Sequence, residues 1–282
     1  MTDPFKIDGP TCLSFSTGRS SAYMLKRTID SNSREVLAKW LMVCFANTGK
    51  EDEASLKFWR DCKNHWKIPI IGLEYQAGPT YKVVDFADAN RTGKPFESVI
   101  EQRGGWLPNR VSRFCSSELK TRTIHRYLRD LGWTEWTSFV GIRADEPRRV
   151  AKFRANPSPE TVAEEVHLPL AIAGVTAKSV GEFWKTQDFD LHLPNHNGKT
   201  MHGNCDLCYL KPASQILSLI KEKPARATWW AEQEKKAESF TSGSACRFRD
   251  DRPSYAQMAV FAKNQHDLFD REEEGIACLC GD

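Results

Sequence analysis

The chain has 282 residues, enough to bury one large hydrophobic core with or without a smaller appended domain. Its hydrophobic share of 40% and charged share of 27% are those of a globular protein and argue against disorder or a fibre. No apolar run approaches the ~20 residues that cross a bilayer, and no secretory leader is visible at Met1, so we expect a cytoplasmic protein outside the membrane. A net charge of +3 is too small to indicate a nucleic-acid partner by itself.

Strand-like and helix-like segments alternate through the first half of the chain. The predicted strands are 12–16, 39–46, 68–75 and 137–142, and the predicted helices are 20–30, 51–66 and 118–131. The stretch 78–113 is rich in Gly, Pro and polar residues and separates the third predicted strand from the helix 118–131. Strands joined by helices form a parallel sheet covered on both faces, with ligands beyond the carboxyl ends of the strands. The predicted fold class is therefore α/β, a parallel sheet flanked by helices.

The pattern of the sequence changes near Leu170, because no strand-like segments follow it. Thr176 can cap a helix that runs to Gln187, and helical patterns recur at 214–221, 225–236 and 255–264. We therefore predict two domains, an α/β domain over residues 1–170 and a helical, cysteine-containing subdomain over residues 171–282.

A loop of small hydroxylic residues connects the first predicted strand to the first predicted helix. Gly18 lets the backbone approach a ligand closely, and the unpaired amides and dipole of a helix start attract an anion. A loop of this composition at a helix start predicts a phosphate-binding site. The alternative is that these residues only cap the helix. The spacing of a Walker P-loop is absent. The candidate phosphate-binding residues are Ser16, Thr17, Gly18, Arg19, Ser20 and Ser21.

Two further loops follow the second and the fourth predicted strands. The loop after the second strand contains Asn47, Thr48, Gly49 and Lys50. The loop after the fourth strand begins at Gly141 and contains Arg143, Arg148 and Arg149. Guanidinium groups donate paired hydrogen bonds to phosphate or sulfate, and the carboxylates of Asp145 and Glu146 can fix these groups or a metal ion. The alternative for this last loop is a solvated, charged surface.

The three loops together resemble those of the superfamily of phosphoadenosine phosphosulfate (PAPS) reductases and ATP pyrophosphatases. Residues 16–21 resemble its Ser-Gly-Gly-Lys-Asp-Ser loop, 45–53 its Asp-Thr-Gly segment, and 141–149 its Gly-x-Arg-x-x-Glu-Ser segment. The resemblance spans about residues 10–210 and implies an adenine nucleotide alpha-hydrolase-like fold, in which the first loop wraps phosphate or sulfate. Thr17, Arg19, Ser20 and Asn47 replace the family's Gly, Lys, Asp and Asp, which weakens the case for Mg-assisted ATP cleavage.

The nine cysteines are interpreted as thiols, because disulfides seldom persist in a reducing compartment. Cys205 and Cys208 form a CxxC pair, a spacing that lets two thiolates converge on one ion or cluster. Candidates for two more ligands are Cys115, Cys246, Cys278 and Cys280. Cys115 precedes a predicted helix, where the dipole favours the thiolate. Its segment also resembles the motif that supplies cluster ligands in adenylylsulfate (APS) reductases, with Cys-Ser in place of Cys-Cys.

We assign Cys115, Cys205, Cys208 and Cys280 as ligands of a 4Fe-4S cluster, with zinc as the alternative metal. Cys278 then remains as a redox or sulfur-carrying thiol in the tail. The other thiols fall in apolar or helical patterns and are predicted to lie in the core: Cys12, Cys44 and Cys62.

The resemblance implies a PAPS reductase-family enzyme that binds ATP, PAPS or APS and transfers or activates sulfur. The candidate catalytic residues are Arg143, Lys50 and Cys278. A sulfur-donor protein and a tRNA or DNA acceptor are the macromolecular partners compatible with this function. Two alternatives stay open: a true PAPS or APS reductase in which Cys278 attacks the sulfur atom, and a non-catalytic nucleotide- or nucleic-acid-binding protein with structural zinc.

Overall fold

The computed structural model describes residues 3–155, 163–194, 200–203, 205–240 and 246–264, and its centre is a six-stranded sheet. The strands are β1 (Thr11–Ser14), β2 (Leu41–Asn47), β3 (Ile71–Gln76), β4 (Thr80–Val84), β5 (Trp136–Phe139) and β6 (Glu164–His167). Their order across the sheet is β4-β3-β2-β1-β5-β6. The four predicted strands are all present, and the α/β fold class is confirmed.

All neighbouring strands pair in parallel except β3 and β4, which form an antiparallel hairpin. Strand β2, which follows β1 in the chain, lies on one side of β1, and β5 lies on the other side. The strand order therefore reverses at β1, the position at which open parallel sheets have a crevice between loops that leave in opposite directions. Open parallel sheets bind their ligands at such a position.

Helices connect and follow the strands. They are α1 (Arg19–Ser31), α2 (Arg34–Trp40), α3 (Glu53–Trp66), α4 (Lys94–Gln102), α5 (Phe114–Ser116), a π-helical turn (Ser117–Arg122), α6 (Thr123–Asp130), α7 (Pro147–Ala155), α8 (Pro169–Ile172), α9 (Ala177–Lys185), α10 (Ala213–Glu222), α11 (Arg226–Glu238) and α12 (Tyr255–Asn264). Within the described ranges, none of these helices has the length and apolar character that a membrane span requires.

The two faces of the sheet pack against different helices. Leu13 of β1 and Phe45 of β2 lie in one buried cluster with side chains of α1 and α3, among them Trp59. The alternate residues Cys12 and Cys44 lie in a second buried cluster with side chains of α6. This alternation follows from the two-residue period of a strand. The three thiols predicted to be core residues are buried: Cys12, Cys44 and Cys62.

Helix α9 packs on the α/β sheet domain. Thr176 caps it as predicted, accepting a hydrogen bond from the Ser179 amide at 3.3 Å. The ring of Phe183 contacts that of Tyr23 on α1, with 5.0 Å between centroids. The predicted boundary between residues 170 and 171 stays a prediction, and the packing assigns α9 to the same buried cluster as α1 and α3.

The last three helices share a buried aromatic cluster with α4. Its members include Phe96 of α4, Trp230 of α11 and Tyr255 of α12. An ion pair of 3.0 Å between Arg226 on α11 and Asp52, the cap residue of α3, joins these helices to the end of β2. The helical segment is therefore attached beside the second-strand loop.

The stretch 78–113, for which no helix or strand was predicted, contains β4 and α4. Pro95 lies in the first turn of α4, and Phe96, Val99 and Ile100 at helical spacing fill the aromatic cluster. The many Gly and Pro residues of the stretch made the helical spacing of these apolar residues hard to recognise in the sequence. The short elements α2 and β6 were also not predicted. Strand β6 reads Glu-Glu-Val-His, which has little apolar character.

Candidate functional site

The loop between β1 and α1 holds a strained turn. Thr17 has φ 58°, in the left-handed region that β-branched residues rarely adopt. Its buried hydroxyl donates to the Ser16 carbonyl at 2.6 Å, which helps to hold the turn. Gly18 follows in an extended conformation as the N-cap residue, and no side chain caps the helix there.

Five consecutive backbone amides in this loop, at residues 17–21, have no hydrogen-bond acceptor in the described part of the chain. The first helical bond runs from the Ala22 amide to the Gly18 carbonyl at 3.1 Å. Unpaired amides at a helix start carry partial positive charge, which the helix dipole reinforces. The turn therefore has the features of an anion-binding site.

Three of the predicted phosphate-binding side chains, Ser16, Ser21 and Arg19, make hydrogen bonds within the protein. Ser16 and Ser21 close the loop internally, because the Ser21 hydroxyl accepts from the Ser16 amide at 3.1 Å and donates to the Gly18 carbonyl at 3.0 Å. Arg19 turns away to Asp190, donating through Nε at 2.7 Å and through Nη2 to the other carboxylate oxygen. The backbone of this loop is thus more available to an anion than its side chains.

The fourth-strand loop meets the first loop. A Cβ atom on Gly141 would lie 3.3 Å from the Ser21 Cα atom, so this turn is seated directly against the start of α1. Arg143 donates through Nη1 to the Ser20 hydroxyl at 2.9 Å and through Nε to Asp145 at 2.9 Å. The two loops are therefore joined by one guanidinium group.

Two other arginines lie on the first turn of α7. Arg149 is buried and pairs with Glu146 through Nη1, while its Nε and Nη2 are buried without a described partner. A buried guanidinium with two unsatisfied donors suits an anion. Arg148 is exposed on the same turn. Burial acts to raise the pKa of Asp145, but the Ala177 amide and Arg143 outweigh it and hold that pKa below its usual value.

The side chains of the loop that follows β2 make hydrogen bonds and ion pairs within the protein. Asn47 is buried and donates to Glu74 at 2.6 Å, while its carbonyl oxygen accepts from the Gly49 amide at 3.0 Å. Thr48 donates to Glu51 at 2.9 Å. Lys50 pairs with Asp206 at 3.1 Å, in contact with the cysteine-containing turn that follows. In this structure these residues anchor the loop and join it to the C-terminal helices.

A pocket of about 320 Å³ opens beside the first loop. Alternate residues on one face of β1, β5 and β6 form one side, and the segment from Arg113 to His125 forms another. Ser16 and Gly141 are among its lining residues, so the pocket adjoins the loop that carries the free amides. Its volume is that of a small-ligand site.

The π-helical turn along this pocket was not foreseen from the sequence. Such turns are rare and are often found at functional sites. Glu118 stabilises it by pairing with Arg103 at 3.0 Å, Arg122 at 2.6 Å and Arg126 at 3.3 Å. Burial acts to raise the pKa of Glu118, but the three arginines lower it below its usual value. The turn directs Lys120 to the pocket wall.

The predicted cluster ligands share one buried environment. Cys115 lies 3.3 Å from the Tyr209 hydroxyl, and Cys205 lies 3.4 Å from the Thr48 hydroxyl. Both pack on the aromatic cluster that contains Cys208 and also Cys246. Within the described residues, no three His, Cys, Asp or Glu side chains are grouped closely enough to hold a metal. The predicted Cys278 and Cys280 lie outside the described residues.

Lys120 connects the pocket to these thiols. Burial, together with the nearby Glu51 and Cys208, raises the pKa of the Cys205 thiol well above its usual value, and Lys120 opposes this rise. Burial likewise raises the pKa of Glu51, and Lys120 again acts in the opposite direction. A lysine on the pocket wall therefore lies close to the CxxC turn.

The comparisons with known proteins give two relatives, and no protein-family model matches the chain. Over 221 residues it is 28% identical to the "Uncharacterized nin region protein ORF290" of Escherichia phage lambda, covering 75% of this chain and 69% of the phage protein. Over 141 residues it is 29% identical to the "Uncharacterized protein MJ0066" of Methanocaldococcus jannaschii, covering 50% of this chain and 24% of the archaeal protein. Neither name states an activity, so the function has to be argued from the site.

Proposed function

We propose that this protein is an enzyme that binds an adenine nucleotide by its phosphates and uses it to activate or transfer sulfur. The nucleotide is ATP, PAPS or APS, as in the PAPS reductase and ATP pyrophosphatase superfamily that its loops resemble. One observation carries the proposal: five amides without a protein acceptor in the described chain adjoin a pocket of nucleoside size.

The phosphates or sulfate of the ligand lie on the amides of residues 17–21. Arg143, already held at Ser20 by a 2.9 Å hydrogen bond, provides a charged donor on the opposite side of the anion. The unsatisfied nitrogens of Arg149 support a second anionic group. The carboxylates of Asp145 and Glu146 form ion pairs with these two arginines. The positive charge that faces the phosphates therefore comes from the guanidinium groups. A bound Mg ion remains a prediction.

In the ATP reaction an acceptor oxygen attacks the α-phosphorus atom, and pyrophosphate leaves with the electrons of the bond that breaks. The amides and Arg143 stabilise the negative charge that develops on the phosphate oxygens. The adenylated acceptor then carries a good leaving group, which a sulfur nucleophile displaces as AMP. Lys50 is held by Asp206 and joins the loop to the CxxC turn, so its catalytic role stays a prediction.

The positions of the cysteines support a role in sulfur chemistry. Cys115 and Cys205 pack against the buried, largely apolar cluster that contains Cys208, so three of the predicted iron-sulfur ligands belong to one part of the fold. The fourth ligand is Cys280, as the sequence predicts, or Cys246, which packs in the same cluster. If these cysteines held a 4Fe-4S cluster, it would transfer electrons or bind sulfur close to Lys120. Zinc remains the alternative metal.

The experiment is a set of product assays on protein purified without oxygen. ATP with a sulfide source and candidate acceptors, including tRNA and DNA, is expected to yield AMP and pyrophosphate in equal amounts. Sulfite released from PAPS or APS would instead identify a reductase, in which the tail Cys278 is the candidate nucleophile. Nucleotide binding without any product would favour the non-catalytic alternative, and failure to bind any of these nucleotides would contradict the proposal.

A further inference from the structure

The segment that leaves α4, residues 103–113, exposes large apolar side chains that the proposed reaction does not use. Trp106 is 59% exposed, and Val111 is 96% exposed. The ring of Phe240, which is 69% exposed, lies on Gly105, because a Cβ atom on that glycine would be 2.6 Å from the Phe240 Cδ2 atom. Two exposed aromatic side chains therefore share one small area of the surface, and such exposed apolar groups mark an interaction site.

The same part of the chain is strongly basic. Residues 103–126 include six lysines and arginines and one acidic residue, Glu118, whereas the whole chain has a net charge of only +3. Glu118 pairs with three of these arginines, and Asp251 pairs with Arg110 at 3.3 Å and also with Arg249. Because each carboxylate is shared by more than one guanidinium group, these contacts leave the segment with an excess of positive charge. The surface therefore fits an anionic partner.

The tip of the segment is a defined turn. Asn109 Oδ1 accepts from the amides of Val111 and Ser112 at 2.9 and 2.8 Å, and the Asn109 amide donates to the Ser112 carbonyl at 3.1 Å. This turn displays Val111 between Arg110 and Arg113 in the sequence. Apolar side chains pack on bases and sugars, and arginines contact phosphates, so this combination matches the surface of a polynucleotide.

The basic segment continues into the wall of the pocket beside the first loop. Arg113, Ser116, Ser117 and Lys120 line that pocket, and the predicted iron-sulfur ligand Cys115 lies between them in the sequence. A polymer bound along the exposed part of the segment therefore lies next to the pocket proposed for the nucleotide. An acceptor of sulfur requires this position.

We propose that residues 103–113, together with Phe240, bind RNA that presents unpaired bases, and that this RNA is the acceptor in the proposed reaction. Trp106 and Phe240 stack on exposed bases, and Arg110 contacts the phosphate backbone. Duplex DNA keeps its bases stacked inside the helix, whereas RNA presents unpaired bases in its loops, so exposed aromatic rings favour RNA. The role of acceptor rests on the proposed function, and the binding surface does not.

The test measures the binding of labelled oligonucleotides to the intact protein by fluorescence anisotropy. The probes are a single-stranded RNA of about 12 nucleotides, the corresponding RNA duplex, and the DNA strand of the same sequence. The single-stranded RNA is expected to bind at least about tenfold more tightly than the duplex, because its bases are free to stack.

Two variants and two matched controls locate the surface. Trp106→Ala should weaken binding of the single-stranded RNA about tenfold, because the stacking of one base is lost. Arg110→Ala should make the affinity less dependent on salt concentration, because a phosphate contact is lost. Val260→Ala removes an exposed apolar side chain from α12, and Arg34→Ala removes an exposed arginine from α2. Both controls should bind as wild type does.

The outcomes separate this inference from the proposed function. Equal affinity for single-stranded and duplex RNA, tighter binding of the DNA strand, or wild-type affinity in folded Trp106→Ala would each overturn the RNA surface. Calorimetry with ATP and 3′-phosphoadenosine 5′-phosphate tests the nucleotide site separately. Nucleotide binding without RNA binding would refute only the inference. RNA binding that depends on Trp106, without binding of either nucleotide, would refute the proposed function and with it the role of RNA as acceptor.

Discussion

Arg143→Ala is expected to weaken ATP binding by about 10- to 100-fold. Arg143 supplies the charged donor that joins the Gly141 turn to the first loop, and a hydrogen bond to a charged group contributes roughly 1.5–3 kcal/mol. Loss of the guanidinium also leaves Asp145 without its ion pair beside an anion, which adds repulsion. Turnover should fall further, by about 10²- to 10³-fold, if Arg143 also stabilises charge in the transition state.

The controls for this prediction separate charge, geometry and folding. Arg143→Lys keeps the charge and loses the planar pair of donors, so its affinity should lie between wild type and alanine. Arg34→Ala removes an exposed arginine from the start of α2 and should bind ATP as wild type does. Isothermal calorimetry measures the affinities, and circular dichroism checks the fold. Wild-type ATP affinity in folded Arg143→Ala would contradict the placement of phosphate beside this residue.

Serine substitution of Cys205 or Cys208 is expected to remove most of the iron from protein purified without oxygen. Both thiols belong to the CxxC turn, and a cluster seldom keeps its full iron content after losing a thiolate ligand. Cys115→Ser should have the same effect. Iron and acid-labile sulfide assays, together with the brown visible absorbance of the protein, measure the loss.

Three further variants define the ligand set. Cys62→Ser changes a buried thiol of α3, away from the aromatic cluster, and should keep full iron content. Cys246→Ser and Cys280→Ser identify the fourth ligand, because only one of them should lose iron. Colourless wild-type protein with one zinc per chain would contradict the iron-sulfur assignment and favour a structural metal.

Local sequence signals predicted the parts of the site that depend on local structure. The start of α1 follows from Gly18 and its serine neighbours, and the Gly141 turn follows from a glycine directly after a buried strand. These features need few distant contacts. The position of both at the carboxyl edge follows from strand and helix alternation, which fixes a parallel sheet.

The remaining features depend on contacts between distant residues. Arg19 was expected at the anion, but it pairs with Asp190, which lies 171 positions away. Lys50 likewise pairs with Asp206. The π-helical turn and the burial of Cys246 arise from packing that no short window of sequence displays. By contrast, α4 was predictable from the spacing of its apolar residues.

The most direct test of the central claim is a crystal structure of the protein with α,β-methylene-ATP or 3′-phosphoadenosine 5′-phosphate. We predict phosphate oxygens about 3 Å from amide nitrogens of residues 17–21, with the Arg143 guanidinium on the same anionic group. A nucleotide bound elsewhere, with these amides facing solvent or another part of the chain, would contradict the account.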